Sequence, residues 1–219
     1  MKKTSARGYY IWGILRIKLK SIAINIYNFN NMKRGLLIVL SGPSGVGKGT
    51  IRKILMEKNL NLAYSISMTT RQPRVGEVEG EDYFFVSPER FKKAIKNNEL
   101  LEYAVFVNNY YGTPKEHIEK LRNEGKNVLL EIETQGARNV IEQYKDDEKF
   151  ITIFLLPPSM EELEARIRGR RTEEEAIVQE RLSKAKRELK LKSLYEYNVI
   201  NHTPDQAAGE IEEIIKSKF

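Results

Sequence analysis

Gly35-Leu36-Leu37-Ile38-Val39-Leu40-Ser41-Gly42-Pro43-Ser44-Gly45-Val46-Gly47-Lys48-Gly49-Thr50 is the stretch from which the fold of this chain is read. Residues 35–41 are a continuous apolar run without alternation, the signature of a strand buried on both faces. A glycine-rich turn comes after it and opens a helical pattern near Lys48 to Lys58. The turn's composition has a chemical reason. Glycines let backbone N–H groups converge on phosphate oxygens, the helix N-terminus adds positive potential, and the lysine reaches the terminal phosphates. The spacing G-x-x-x-x-G-K, set between a buried strand and a helix, separates a phosphate loop from a surface turn that happens to carry a lysine. One position departs from the strict pattern: Gly49 follows Lys48 where a Ser or Thr would ligate Mg²⁺, and Thr50 stands one place further on. Mg²⁺, which keeps several of its waters, is then expected to be held through water and the phosphates.

Outward from this stretch, similar apolar runs recur at Asn127 to Ile132 and Phe150 to Leu155, each followed by a helical pattern. Strand and helix in alternation, with strands that do not alternate, predict a parallel sheet covered on both faces. Residues 67–113 break the rhythm with Arg, Gly, Glu and aromatics and with short alternating runs at Tyr83 to Val86 and Leu101 to Phe106. They read as a small, mostly β insertion holding one helix, opened by Ser87 as N-cap with Pro88 in the first turn. Residues 159–196 are long, charged and helical, interrupted near Gly169.

The chain has 219 residues, 41% apolar and 31% charged, and no cysteine. That is enough to bury a core as one domain, and the balance excludes collagen-like, disordered and disulfide-scaffold classes. Without cysteine there are no zinc fingers, thiol nucleophiles or disulfides, and His117 and His202 alone do not make a transition-metal site. Oxygen-ligated Mg²⁺ stays open. Of the 37 Lys and Arg, six (Lys2, Lys3, Arg7, Arg16, Lys18, Lys20) fall in residues 1–31, where no acid occurs, which leaves 31 basic against 30 acidic residues over 32–219. A body so close to neutral disfavours a nucleic-acid partner, because binding the phosphate backbone needs a net basic surface.

Residues 1–31 read as a separate basic extension. On a helical wheel Ile11, Leu15, Leu19, Ile22 and Ile26 share a side, with Arg16 and Lys20 nearly opposite. Three readings stay open: an organellar targeting segment or interfacial helix, an appendage packed on the domain, or a dispensable stretch ahead of a start at Met32-Lys33-Arg34. Its uncharged runs fall short of the ~20 residues a bilayer span needs. The corresponding localisations are the cytoplasm or, with a targeting segment, an organelle.

Ser67-Met68-Thr69-Thr70-Arg71-Gln72-Pro73-Arg74-Val75-Gly76-Glu77 runs on to Asp82-Tyr83-Phe84-Phe85, then Glu102, then Tyr110-Tyr111-Gly112-Thr113. Here the chain resembles guanylate kinases, P-loop nucleoside monophosphate kinases, over about residues 34 to 217. The S-x-T-T-R-x-P-R-x-G-E motif separates them from adenylate and thymidylate kinases, while GKGT is a loop form found among nucleoside monophosphate kinases generally. The resemblance implies a P-loop NTPase-type α/β fold: a core of residues 32–66 and 114–219, a GMP-binding insertion at 67–113 and a helical lid at about 166–181. It implies ATP and GMP as small-molecule partners, Mg²⁺ as cofactor, and phosphorylation of GMP to GDP; it leaves monomer or homodimer open.

The same resemblance assigns residues. Gly42, Pro43, Ser44, Gly45, Val46, Gly47, Lys48, Gly49, Thr50 and Arg166 are expected to bind ATP. Ser67, Arg71, Arg74, Glu77, Tyr83, Glu102, Tyr111, Thr113 and Glu133 are expected to bind GMP. Lys48, Arg71, Arg170 and Arg181 are expected to be catalytic, and Thr50 and Glu131 to stand near Mg²⁺ through water. Physical chemistry is consistent with these roles. Arg71 and Arg74 with Tyr83 and Tyr111 suit a fork-and-hydroxyl clamp on a phosphate dianion. Guanine offers N1–H and N2–H₂ donors that a carboxylate such as Glu102 accepts as a pair, whereas adenine offers an acceptor at N1 and would be repelled. Plainer alternatives exist singly: a solvated turn for the arginines, strand packing for the tyrosines, a strand-end surface acid for Glu131 and Glu133. In the charged stretch, Glu162 to Arg166 and Glu164 to Arg168 are ordinary i,i+4 pairs, while Arg170 and Arg171 lack such acids. Two other functions compete: a peptide-binding module that has lost catalysis, against which Lys48 and the lid arginines argue, and a P-loop kinase for another small acceptor.

Overall fold

A computed structural model describes residues 34–218 apart from Asn59, Val107 and residues 170–174; the 1–31 extension and Arg170 therefore lie outside the described residues. Nine strands are present among the described residues: β1 (Leu37–Ser41), β2 (Leu62–Tyr64), β3 (Ser67–Thr69), β4 (Tyr83–Phe85), β5 (Leu100–Phe106), β6 (Asn109–Pro114), β7 (Asn127–Glu131), β8 (Phe150–Leu156) and β9 (Tyr197–Ile200). The helices among them are α1 (Lys48–Met56), α2 (Pro88–Lys96), α3 (Lys115–Asn123), α4 (Thr134–Tyr144), α5 (Met160–Arg168), α6 (Glu175–Leu189) and α7 (Pro204–Lys216).

The central sheet has the order β2-β7-β1-β8-β9, and every pairing in it is parallel. β1 lies in the middle, and the reason is in its side chains. Ile38 and Leu40 face one way, into a core with Ile51 and Leu55 of α1 and Ala208, Ile211 and Ile215 of α7. Leu37 and Val39 face the other way, against Ile118 of α3 and Ala137 and Val140 of α4. All four are fully buried, each contributing about 1.5–3 kcal/mol of apolar burial. A strand covered on both faces has no polar side, hence the unbroken run.

A second sheet, β4-β3-β6-β5, is mixed: β3 and β4 are parallel, while β6 pairs antiparallel with both β3 and β5. Its small core is Met68, Phe91, Ala94 and Leu100 beneath α2. Ser87 caps that helix by accepting from the Arg90 N–H at 3.2 Å, with Pro88 in the first turn. In the charged C-terminal stretch α6 ends at Leu189, earlier than a helix running to residue 196. A 3₁₀ turn at Lys192–Leu194 then turns the chain back into the central sheet as its edge strand β9. α5 and α6 bury Leu163, Ile167, Val178, Leu182 and Ala185 against each other.

At the N-terminal ends of the strands Arg122 is completely buried. Its guanidinium donates to the Gly35 and Lys149 carbonyls at 3.0 Å each, to Asp147 at 2.9 Å and to Glu119 at 3.2 Å. It also lies 5.6 Å from the Tyr144 ring centroid. The opposite ends of the strands, where β1 and β7 stop, open onto clefts, the usual ligand position in an open α/β sheet.

Candidate active site

The loop after β1 is shaped by close approach. Gly42 has φ +148°, and a Cβ there would meet the Leu155 carbonyl at 2.6 Å; Gly47 has φ +102°, and a Cβ there would meet Asn201 Nδ2 at 2.7 Å. Asn201 is buried and donates to the Val46 carbonyl at 2.7 Å, fixing the loop from β9. α1 begins at Lys48 with no side-chain cap and no acid in its first turn. Its leading N–H groups are therefore left for an anion. Lys48 folds back over the loop, donating to the Gly42 carbonyl at 2.7 Å and the Pro43 carbonyl at 3.3 Å. Burial pushes its ammonium below the ordinary lysine value, opposed by the nearby carboxylates Glu131, Glu188 and Glu133.

A cavity of about 730 Å³ lies against this loop, with Lys48, Gly49, Thr50, Glu131, Glu133 and Glu188 in its wall. A second, of about 660 Å³, is walled by Ser67, Tyr83, Glu102 and Tyr111 of the small sheet, by Gly136 of α4 and by Lys184 of α6. Glu131, Ile132 and Glu133 belong to both walls. Two ligands lying in these clefts would thus approach each other at the C-terminal end of β7.

In the second cleft Glu102 receives the Thr113 hydroxyl at 2.6 Å. Burial raises the Glu102 carboxyl above the ordinary range, partly offset by the Thr113 hydroxyl. Its Oε2 lies against the first turn of α4, where a Cβ on Gly136 would be 2.7 Å away. Tyr83 and Tyr111 rings are 6.1 Å apart, edge to face. Arg71 sits 5.3 Å from the Tyr83 centroid and is paired with Glu77 at 2.8 Å; the other Glu77 oxygen takes the Arg74 N–H at 2.8 Å. Glu77 thereby shapes the turn that carries both arginines, and Arg71 and the Arg74 N–H hold its carboxyl below the ordinary range. The Arg74 side chain is exposed. Arg71, Arg74, Glu77 and Thr113 are outside the wall of the second cleft.

The arginines expected in the lid divide. Arg166 lies against the phosphate loop, donating to the Val46 carbonyl at 3.4 Å, the Asn201 carbonyl at 3.0 Å and Glu162 at 3.0 Å. Arg181 donates to the Ser44 hydroxyl at 3.1 Å. Neither lines the 730 Å³ cavity.

Three partners of this site were not legible as such. Glu188, only 6% exposed, accepts the Ser44 N–H at 3.2 Å and the Thr134 hydroxyl at 3.3 Å. It is seven residues after Arg181, two turns along the same side of α6, so one helix grips Ser44 twice. Lys184, on that same side, donates to Glu133 at 2.9 Å. Arg52 donates to Glu131 at 2.9 Å. For Glu188 the one available signal was an acid at the end of an otherwise basic helical face; Lys184 and Arg52 carried none.

For a divalent cation, the described residues hold no group of three or more His, Asp or Glu arranged as ligands. What the cleft offers is Glu131, with one oxygen that receives no donor among the described residues, and the exposed Thr50 hydroxyl. This sparse oxygen set fits Mg²⁺ arriving with phosphates and keeping its waters, rather than a dedicated protein cage.

The sequence model of the guanylate kinase family matches residues 34–218. A guanylate kinase of Mesoplasma florum is 51% identical over 183 residues, covering 83% of this chain and 61% of that protein. One of Oceanobacillus iheyensis is 48% identical over 186 residues, covering 85% of this chain and 89% of that protein. Among solved structures, guanylate kinase from Anaplasma phagocytophilum superposes with a TM-score of 0.66 at 35% identity, covering 84% of this chain and 86% of that one. Among the described residues no helix is long and apolar enough to cross a membrane.

Proposed function

The chain belongs to the guanylate kinase family, and on that ground we propose that it transfers the terminal phosphoryl group of ATP to GMP, giving ADP and GDP. The observation that carries this reading is the wall shared by the two clefts at Glu131 to Glu133. A nucleoside triphosphate on the loop and a monophosphate in the second cleft would meet phosphate to phosphate there.

In this reading the loop amides and Lys48 hold the ATP phosphates. Arg71 exchanges Glu77 for the GMP phosphate, joined by Arg74 and the Tyr83 and Tyr111 hydroxyls. Glu102 accepts the paired guanine donors, with Ser67 and Thr113 beside it, and Glu133 leaves Lys184 for the guanine amino group. Arg166, Arg170 and Arg181 serve as lid arginines that stabilise charge spread over the transferring phosphoryl oxygens. The acceptor phosphate is already an anion, so no general base is needed, and closure of the clefts excludes water that would otherwise hydrolyse ATP. Mg²⁺, bound with ATP and reached through water by Glu131 and Thr50, would supply charge neutralisation on the phosphates. Residues 67–113 act as the acceptor-binding insertion and about 166–181 as the lid on a core of 32–66 and 114–219. The reaction belongs to the cytoplasm, where charged nucleotides are retained.

The test is an ADP-release assay with GMP, AMP and UMP as acceptors. Turnover is expected with GMP and not with the others. If ATP is bound but no acceptor stimulates ADP release, the chain is a binding module; equal use of AMP removes Glu102 as the base reader.

A further inference from the structure

We propose that Arg52 is a positioning residue which, by holding Glu131 over Gly49, makes good the metal-binding hydroxyl that the phosphate loop lacks at that position. The inference rests on the part of the proposed function in which the loop binds ATP with Mg²⁺, and concerns how this particular loop manages its metal.

A Cβ built on Gly49 would lie 3.6 Å from Glu131 Oε1 and 3.9 Å from Oε2. The carboxylate therefore stands over the point from which a serine hydroxyl would have extended. Arg52 is three residues beyond Gly49 on α1, on the same face of the helix. Its Nε donates to Glu131 Oε2 at 2.9 Å, and its guanidinium is 4.3 Å from the Tyr64 ring centroid, which stacks it in place from β2. Both side chains are about a quarter exposed, at 27% and 21%. One carboxylate oxygen is thus tied down and the other receives no donor among the described residues, facing the cleft at the start of α1. That is the arrangement required of an acceptor for a metal-bound water.

The backbone permits a direct check, because Gly49 is not among the glycines with positive φ, and the atom nearest to its Cβ position is at ordinary contact distance. A Cβ is accommodated there. Calorimetric titration of ATP onto wild type, Arg52→Met, Arg52→Lys and Arg52→Met/Gly49→Ser, each with and without Mg²⁺, separates the possibilities; the Mg²⁺ concentration for half-maximal turnover is read in parallel. Arg52→Met is expected to lose about 10–100-fold in apparent Mg²⁺ affinity, as for other groups that orient a metal-binding side chain. Its affinity for metal-free ATP should not change. Arg52→Lys should keep most of the metal affinity, and Gly49→Ser should restore it in the Met background. An equal loss of ATP affinity with and without Mg²⁺, or no rescue by Gly49→Ser, overturns the proposal and leaves the pair as a structural tie. Wild type that binds ATP in a Mg²⁺-dependent way but never phosphorylates GMP would instead remove the function and leave this inference standing.

Discussion

Arg122 and Lys48 lie towards opposite ends of β1, one bonded to Gly35 two residues before the strand and the other opening the helix after the loop that follows it, and the protein satisfies them in opposite ways. Arg122 spends its donors on two carbonyls and two carboxylates, with an aromatic ring alongside. Lys48 rests on two carbonyls of the loop it belongs to, while three carboxylates act on it from a distance. A buried cation with every nitrogen bonded within the fold is inert and structural. One that leans on its own backbone, at a cost in desolvation, keeps its charge for an anion that has yet to arrive.

The two cations should part most widely under substitution. Arg122→Met removes one donor each from Asp147, Glu119 and the carbonyls of Gly35 and Lys149, although Asp147 keeps the Lys149 N–H and the Lys149 carbonyl keeps the Leu37 N–H, and is expected to cost about 3–5 kcal/mol in denaturant unfolding. Per folded molecule, kcat should be unchanged; a stability loss within the scatter of surface substitutions would mean that Arg122 ties nothing together. Lys48→Met should do the reverse. Turnover falls by about 10²–10³-fold, the usual cost of one donor aimed at developing charge, while the denaturation midpoint stays level or rises because a desolvated ammonium is gone. A lower midpoint would place Lys48 with Arg122.

In the second cleft the same distinction between structural and reserved charge is expected on a smaller scale. Gly136→Ala drives a methyl into Glu102 Oε2. Since a misplacement of ~1 Å can cost ~100-fold, KM for GMP should rise at least about tenfold with KM for ATP unaltered; equal changes in both would point to damage in α4. The smallest effect is in pH. The folded state raises the Glu102 carboxyl, so it holds that proton more tightly than the unfolded chain does. Its contribution to stability is greatest in acid and is lost as pH rises through the folded value, and Glu102→Gln should flatten that slope, to be seen in melting curves across pH. Binding runs the other way: KM for GMP should climb as pH falls, from above the ordinary carboxylate range, while KM for ATP stays flat there.

Much of this molecule was readable because some of its physics is local. The run at residues 35–41 has no polar face to offer, which requires cover on both sides, and Gly42 and Gly47 sit where any side chain would strike backbone or Asn201. The Ser87 cap is likewise a matter of neighbours in sequence. β2 and β9, three and four residues long, carry too little periodicity to be recognised and owe their place to the strands beside them. The grouping of Ser67, Tyr83, Glu102 and Tyr111 around one cleft depended on resemblance, because no spacing rule joins residues from four strands and their register is set by pairing. Arg52, Lys184 and Glu188 stayed hidden for the opposite reason: in sequence each is one more charge on an exposed-looking helix, and only packing reveals that Glu188 is buried against Ser44.

On α6, Arg181 and Glu188 grip the turn that would cradle ATP, and Lys184 between them reaches Glu133 beside the other cleft. A single stiff rod therefore reports on both substrates. Whatever free energy the arrival of one nucleotide spends or releases in shifting that rod must appear, equal in size, in the affinity for the other, so the two affinities should be reciprocally coupled.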